Sequence, residues 1–372
     1  MVHRVQVETQ DEFANPVAQL FARRHETIRF DVLEGPDYAA DAYRAIQLVP
    51  DIPFVLKLHT PSILLLRLNY YEPSFFRRLS LYLGSRLRGY DASWGYPAHI
   101  EHHRKRTIRM NEMERTQALM ADEIVSPSRS LGEMMLSEWT LASAKMARVP
   151  YPFTPPPELL KIPPNTNSSI VTFIGRLEAR KGVVDLADAI PAILRQWPQA
   201  RFRFVGASDA SPKEGVSMTQ FLQDRLRAVA RCVEFVGPVA PDAISQVLAE
   251  TDVCVFPSHW ENFPYVCLEA MAAARGIVAG AAGGMADMLD NGRFGHLISA
   301  QSAAQIHDAV IDLLAHPQRR IELGKAARAR LLQTYDEGNI GPLQEASYAR
   351  AITRRARAGS RSASPAPTLA PF

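Results

Sequence analysis

Two short stretches carry residue types that could act together on an anionic, hydroxyl-rich ligand. The first, "GRLEARKG" over residues 175–182, follows an apolar run and sets Gly175 at a strand end, with Arg176 and Lys181 just ahead of a helical stretch. Two fixed cations beside the free N–H groups of a helix start form an anion site, and a diphosphate suits it. The second, "HWENFPYVCLE" over residues 259–269, places Glu261 and Glu269 with seven residues between them. Pro257 and Ser258 end the preceding apolar run, Pro264 suits a first helical position, and "PYVCLEAMAAA" continues in good helix formers. Glu261 is therefore expected in a loop and Glu269 inside the following helix, both able to accept hydrogen bonds from separate sets of hydroxyls. Taken singly, each stretch also reads as ordinary surface: solvated cations in a loop, and an acid complementing a helix N-terminus.

The elements that must position these residues are legible in the second half. The runs "SIVTFIG", "RFRFVG", "CVEFVG", "DVCVF", "GIVAG" and "GHLIS" alternate with helical stretches near 183–197, 219–230, 241–250, from about 264, and 284–290. Short continuous apolar strands without polar alternation indicate a parallel sheet with helices on both faces, the doubly wound α/β arrangement. The first half repeats this grammar less fully, with a helix near 11–24, "IRFDVLEG", a helix near 38–48, "PFVLKLH", a helical zone over 74–121 and "DEIVSPS". Between the halves, the proline-rich "VPYPFTPPPELLKIPPNTNSS" reads as a stiff connection. The expected organisation is a Rossmann-like unit over 1–150, a linker over 151–168, and a second Rossmann-like unit over 169–350. The last helix of that second unit is expected to pack back on the first. A disordered Arg/Ala/Ser/Pro tail over 351–372 follows. Two such units suggest a cleft, with ligands at the carboxyl ends of the strands.

No Gly-x-Gly-x-x-Gly follows any strand, which speaks against a dinucleotide dehydrogenase. Instead, "FIGRLEARKG" followed by "VCVFPSHWENFPYVCLEAMAAARGIVAGAAGG" resembles the donor half of the retaining, metal-independent glycosyltransferases of family 4, with the GT-B fold. The likeness runs over most of 169–340, and "FDVLEGPDY", "IPFVLKLHTP" and "MERTQALMADEIVSPSRSL" match the family's first domain in order. The resemblance implies an α/β GT-B protein whose two doubly wound units face a cleft, and no cofactor or metal. It implies that Arg176 and Lys181 hold the diphosphate of a nucleotide-sugar and that Glu269 binds its ribose. Glu261, with backbone N–H groups around Asn262, Phe263 and Pro264, would hold the sugar, while Val236 and Gly237 meet the base. His59 in "KLHTP" matches a histidine lining the cleft near the sugar; otherwise it is a core or loop residue. A hydroxyl acceptor, glycan or lipid-linked, would complete the reaction. The chain departs from the family in three places: no glycine-rich loop precedes Gly35, Ala274 and Gly276 stand where Gly and Pro are usual, and Asp287 replaces a common Glu. The first departure leaves open a shortened, non-catalytic nucleotide- or partner-binding protein, and the same general fold leaves open a nucleotide-sugar epimerase.

Composition narrows the classes. With 372 residues, 47% apolar and 22% charged, the chain suits two globular domains, and no apolar run is long enough to span a bilayer. The start, "MVHRVQVETQDEF", lacks the pattern of a secretory signal, which suits the cytoplasm, as do Cys232, Cys254 and Cys267, odd in number and read as buried thiols. Arg354, Arg355, Arg357 and Arg361 contribute +4 to the net charge of +3 and leave the rest of the chain near neutral at −1, so no basic folded face marks a nucleic-acid partner. Residues 75–90, as a helix with Phe75, Leu79 and Tyr82 flanked by arginines, suit either a peripheral contact with an anionic membrane or a solvated surface. The cluster "HIEHHRKR", with His99, Glu101, His102 and His103, is surrounded by cations that oppose a metal.

Overall fold

Short apolar runs become parallel strands. The computed structural model describes Val5 and residues 13–69, 98–213 and 215–359. The segment 75–90 therefore lies outside the described residues. Two units divide the chain: unit 1 takes the described residues within Met1–Ser126, Gly132–Val149 and Leu343–Phe372, and unit 2 takes those within Pro127–Leu131 and Pro150–Pro342.

Unit 1 contains α1 (Ala14–Ile28), β1 (Leu33–Pro36), α2 (Tyr43–Leu48), β2 (Phe54–Lys57), α3 (Ser62–Asn69), α4 (Ala98–Met120), β3 (Glu123–Ser126), most of α5 (Arg129–Glu138) and β4 (Met146–Arg148). Its strands pair in parallel in the order β1-β2-β3-β4. Unit 2 contains α6 (Pro157–Lys161), β5 (Ile170–Ile174), α7 (Val183–Gln196), β6 (Arg201–Val205), α8 (Met218–Arg225), β7 (Val233–Gly237), α9 (Ile244–Glu250) and β8 (Val253–Phe256). There follow α10 (Tyr265–Ala272), β9 (Gly276–Gly280), α11 (Gly284–Met288), β10 (His296–Ile298), α12 (Ala303–Ala315) and α13 (Pro317–Thr334). A last helix, α14 (Glu337–Ala358), passes from unit 2 into unit 1 at Pro342.

The sheet of unit 2 runs β10-β9-β8-β5-β6-β7, all parallel. Alternate residues of one strand serve opposite layers. Val171, Phe173, Val253 and Val255 join the core built with α7 and α12, whereas Ile174, Cys254 and Phe256 join the one built with α10 and α13. Both faces are covered, so both sets are apolar. Winding proceeds one way from β5 through β6 to β7 and the other way from β8 to β10, and the switch falls between β5 and β8. The loops leaving the carboxyl ends of these two strands must flank a crevice.

Two expected boundaries are corrected. The proline-rich segment is not a free linker: Leu159 and Ile162 are buried in unit 2, and three arginines bind its backbone. Arg328 donates to the carbonyls of Leu160 and Ile162, Arg275 to Pro163 O at 2.5 Å, and Arg320 to Thr166 O at 2.5 Å. Proline-rich backbone keeps its carbonyl acceptors while lacking N–H donors, and guanidinium groups supply what it lacks. Nor does disorder begin at 351. Helix α14 continues to Ala358, Ala351 is buried, and within unit 1 Arg355 donates to Asp122 at 2.6 Å while Arg354 and Arg350 pair with Glu123. Two of the charges assigned to a disordered tail, Arg354 and Arg355, are instead counter-ions of buried carboxylates.

Cys254 and Cys267 are buried, and burial pushes the Cys254 thiol up to about 12 and Cys267 higher still; Cys232 is half-buried. No helix among the described residues is long and apolar enough to cross a membrane.

The unusual pair Ala274 and Gly276 has a structural reason in the second case only. A Cβ on Gly276 would lie 2.8 Å from Arg320 Cγ, so glycine makes room for the buried arginine. Ala274, by contrast, holds φ +53°, a left-handed conformation that penalises its Cβ. Ala274→Gly is therefore expected to stabilise the protein by ~0.5 kcal/mol, the relieved strain being partly offset by unfolded-chain entropy. Gly276→Ala should destabilise it by about 1–3 kcal/mol through overpacking. Urea midpoints of the two variants check both signs.

Candidate functional site

The β5–α7 loop and the β8–α10 loop, the two that flank the switch point, carry most of the residues singled out from sequence. Gly182, with φ +70°, ends the first loop, and a Cβ there would lie 2.0 Å from Pro257 O in the second. Glycine is what lets the two chains touch. His259 N–H donates to Arg180 O at 2.8 Å across the same junction. The far side of the second loop is fixed by a parallel bridge between Glu261 and Gly283 and by Gly284 N–H donating to Glu261 O at 2.8 Å.

This backbone framework brings Lys181 and Glu261 into direct contact: the ammonium pairs with Glu261 Oε1, and both side chains are largely buried. Arg180 joins them, 3.4 Å from Glu261 Oε1 and 2.7 Å from Glu178 Oε1. Two cations thus converge on one carboxylate in a partly desolvated corner, where charge interactions are stronger than at an open surface. Arg176 stands further out. Its guanidinium is 60% exposed and 3.8 Å from Asp209 Oδ2, so it extends the basic edge of the loop without joining the Lys181–Glu261 group. Gly175 opens that loop with φ +148° and its N–H on Val205 O.

Glu269 lies in α10, half-buried, and burial pushes its carboxyl up to about 7. No hydrogen-bond donor to its side chain is present among the described residues. At the end of β7, Val236 is 39% exposed, and Gly237 holds φ +80° with open space where a Cβ would project.

The stretch 262–264 does not offer three N–H groups. Pro264 has none, and it caps α10 in extended conformation rather than occupying its first position. Asn262 turns its side chain inward, where Oδ1 accepts from Ser128 Oγ at 3.1 Å, and Phe263 packs edge-on against Tyr151 and Tyr335. Of these three residues only Asn262 and Phe263 carry a backbone N–H. Asp287, the conservative replacement, accepts from Arg129 N–H at 2.5 Å.

His59 belongs to unit 1, just past β2. Its N–H donates to Asp37 Oδ1 at 2.9 Å and its Nδ1 lies 3.0 Å from Lys57 O. Burial lowers its pKa, but the Asp37 carboxylate and the Lys57 carbonyl more than offset this, and the net direction is upward. Beneath it lies a group that sequence reasoning missed. Fully buried Glu114 accepts from Ser62 N at 2.8 Å, Ser62 Oγ at 2.6 Å and Ala39 N at 3.1 Å, tying α4 to the loops after β1 and β2. Burial raises Glu114 to about 7 in spite of those donors. Arg180, His259 and Asp185 were missed as well. Arg180 adjoins Lys181 in the chain and could have been included; the meeting of His259 with Asp185 leaves no trace in spacing. Among the described residues no group of His, Cys, Asp or Glu is arranged to hold a metal ion. The side chains of the cluster at 99–103 lie outside the described residues.

Comparison with known proteins bears on this arrangement. Residues 168–316 match the family model described as "Glycosyl transferases group 1". A glycogen synthase of Mycobacterium tuberculosis (strain ATCC 25618 / H37Rv) is 32% identical over 174 residues, covering 46% of this chain and 40% of that protein. This chain thus matches less than half the length of that relative. Among solved structures, sucrose-phosphate synthase from Thermosynechococcus elongatus superposes with a TM-score of 0.67 at 20% identity, over 94% of this chain and 81% of that one. HepE of Anabaena, in complex with UDP-glucose, gives 0.63 at 19% identity over 89% and 81%. These likenesses establish the fold, two Rossmann-like units of the GT-B type.

Glu269 provides a check on the electrostatics that is independent of any activity. A carboxyl raised on folding contributes stability that is fully present below its unfolded value, near 4.5, and is lost as pH rises through about 7. Glu269→Gln should therefore be more stable than the wild type at pH 8, with the difference vanishing near pH 4.5. Paired urea titrations at the two pH values measure it.

Proposed function

We propose that this chain, whose residues 168–316 match the family model of the group 1 glycosyl transferases, moves a sugar from a nucleotide diphosphate donor to a hydroxyl acceptor with retention of anomeric configuration and without a metal. The observation that carries the reading is the convergence of Lys181 and Arg180 on Glu261 at the switch point of the unit 2 sheet. The relative that makes glycogen and the neighbour that holds UDP-glucose support a nucleotide-sugar donor.

The chemistry follows from charge. Breaking the bond between the anomeric carbon and the diphosphate oxygen sends an electron pair onto the diphosphate and leaves a cation-like sugar. Lys181, with Arg180 and Arg176 at the rim of the same loop, stabilises the departing anion, and preorganised cations in a desolvated site supply most of what such a step needs. Retention requires the acceptor hydroxyl to approach on the face the diphosphate leaves, and its proton passes to a departing phosphate oxygen. Glu261 holds the ammonium in place and accepts from a sugar hydroxyl; Asn262 and Phe263 offer backbone N–H groups beside it. The ledge at Val236 and Gly237 receives the base, and Glu269 accepts from the ribose hydroxyls. His59, held by Asp37, is the unit 1 residue assigned to the sugar. The acceptor is a glycan or lipid-linked hydroxyl, and the enzyme works in the cytoplasm, in polysaccharide or glycoconjugate synthesis.

A panel of nucleotide-sugars, with nucleotide release as the signal, tests the reading directly. One donor should turn over, and Lys181→Ala or Glu261→Ala should lower kcat by about 10²–10³-fold. Failure of the whole panel, together with failure to bind UDP, overturns it. Glu269 adds a pH signature: only the ionised carboxylate accepts both ribose hydroxyls, so UDP affinity should weaken as pH falls through about 7. Calorimetry with Glu269→Gln should show a flatter dependence, and an identical slope in the two proteins removes Glu269 from the site.

A further inference from the structure

The two loops at the switch point are fastened at three places besides the contacts of Lys181 and Arg180 with Glu261. Gly182 lies against Pro257, and His259 N–H donates to Arg180 O at 2.8 Å; both fix main chain. The third is a side-chain clip: His259 Nε2 lies 2.7 Å from Asp185 Oδ2, with the two side chains only 23% and 18% exposed. Asp185 is the third residue of α7, so the clip grips a rigid helix on one side. On the other side it grips the loop two residues before Glu261.

The location gives the clip leverage. Helix α7 begins two residues after Lys181, and its first-turn N–H groups, with Lys181, make up the anion site expected there. A carboxylate in that turn competes with a bound diphosphate for the same positive end. The hydrogen bond to His259 engages Asp185 with the neighbouring loop instead. One contact therefore fixes where Glu261 reaches and holds an opposing charge to a defined place. Transmitted misplacements of about 1 Å at a reacting centre cost up to ~10²-fold in rate.

We propose that His259, clipped to Asp185, is a positioning residue that sets Glu261 against Lys181. Its effect on turnover rests on the glycosyltransferase reading; its effect on geometry does not. The two are separated by measuring kcat and KM with the donor that the panel identifies, and independently the rate at which an amine-acylating reagent modifies Lys181, read by peptide mass spectrometry.

His259→Ala should raise Lys181 acylation several-fold and lower kcat by about tenfold, with a smaller change in KM. His259→Gln, whose amide reaches Asp185, should stay near wild type in both. Asp185→Ala should match His259→Ala, and the double variant should be no worse than either single one, as expected for residues acting through one contact. Unchanged Lys181 acylation in His259→Ala overturns the proposal, as do additive effects or a His259→Gln as impaired as the alanine variant. If His259→Ala does not fold, the Asp185→Ala and His259→Gln comparison carries the same decision. Should the wild type transfer no sugar, Lys181 acylation still decides the clip, and only the catalytic reading falls.

Discussion

Everything in unit 2 follows from one packing constraint: each central strand must be covered on both faces. A parallel sheet satisfies this only by sending helices to alternate sides, and winding outward in both directions is what opens a crevice between β5 and β8. Loops at that point are not free to lie back on the sheet, because neighbouring crossovers depart in opposite directions. The residues "EARKG" and "HWEN" sit there because the strand order leaves that place for them. Gly182 and Gly283, each with a carbonyl of the second loop 2.0 Å from where a Cβ would be, record how tightly the framework closes.

A second constraint governs the edges. The segment before β5 is rich in proline and therefore in carbonyls without matching donors. Burying it required Arg275, Arg320 and Arg328, and their guanidinium groups bind backbone oxygens from Leu160 to Thr166. Desolvation lowers Arg275 to about 10, still high enough for the charged, donating form at neutral pH. Within unit 1 the same logic runs with signs reversed: Asp122 and Glu123 are buried, and arginines from α14 meet them. In both places a long cation side chain brings its apolar stem as well as its charge.

How much could be read beforehand depended on which physics was local. The central strands of unit 2 declared themselves through continuous apolar runs, while β6 and β7, toward one edge of the sheet, carry Arg201, Arg203 and Glu234 in alternation. The loop positions of Arg176, Lys181 and Glu261 followed from the strand ends. Arginine latches did not, since nothing in "RRARA" says whether its counter-ions are water or a buried Asp122. The proline segment misled for the same reason: composition reports stiffness but not burial. Pro264 shows the opposite failure. Its lack of an N–H is visible in the sequence, and the loop's donor count could have been corrected without coordinates. Contacts such as His259 with Asp185, 74 positions apart, and Glu114 with Ser62 had no sequence signal, because they arise only when separate loops are brought to one sheet edge.

Glu114 and Glu269 show why burial alone does not identify a working carboxylate. Both are raised to about 7, and in both desolvation is the leading cause. Glu114 accepts three hydrogen bonds from its own chain, which satisfy both oxygens and lock two loops; a ligand has nothing to add. Glu269 receives no such donors from the described residues, yet it stands on a helix whose sequence could have placed an apolar side chain there at lower cost. A half-buried acceptor to which the described residues donate nothing keeps its hydrogen-bonding capacity for water or for a ligand's hydroxyls. A raised pKa is common to both carboxyls; what separates them is whether the fold itself supplies the donors.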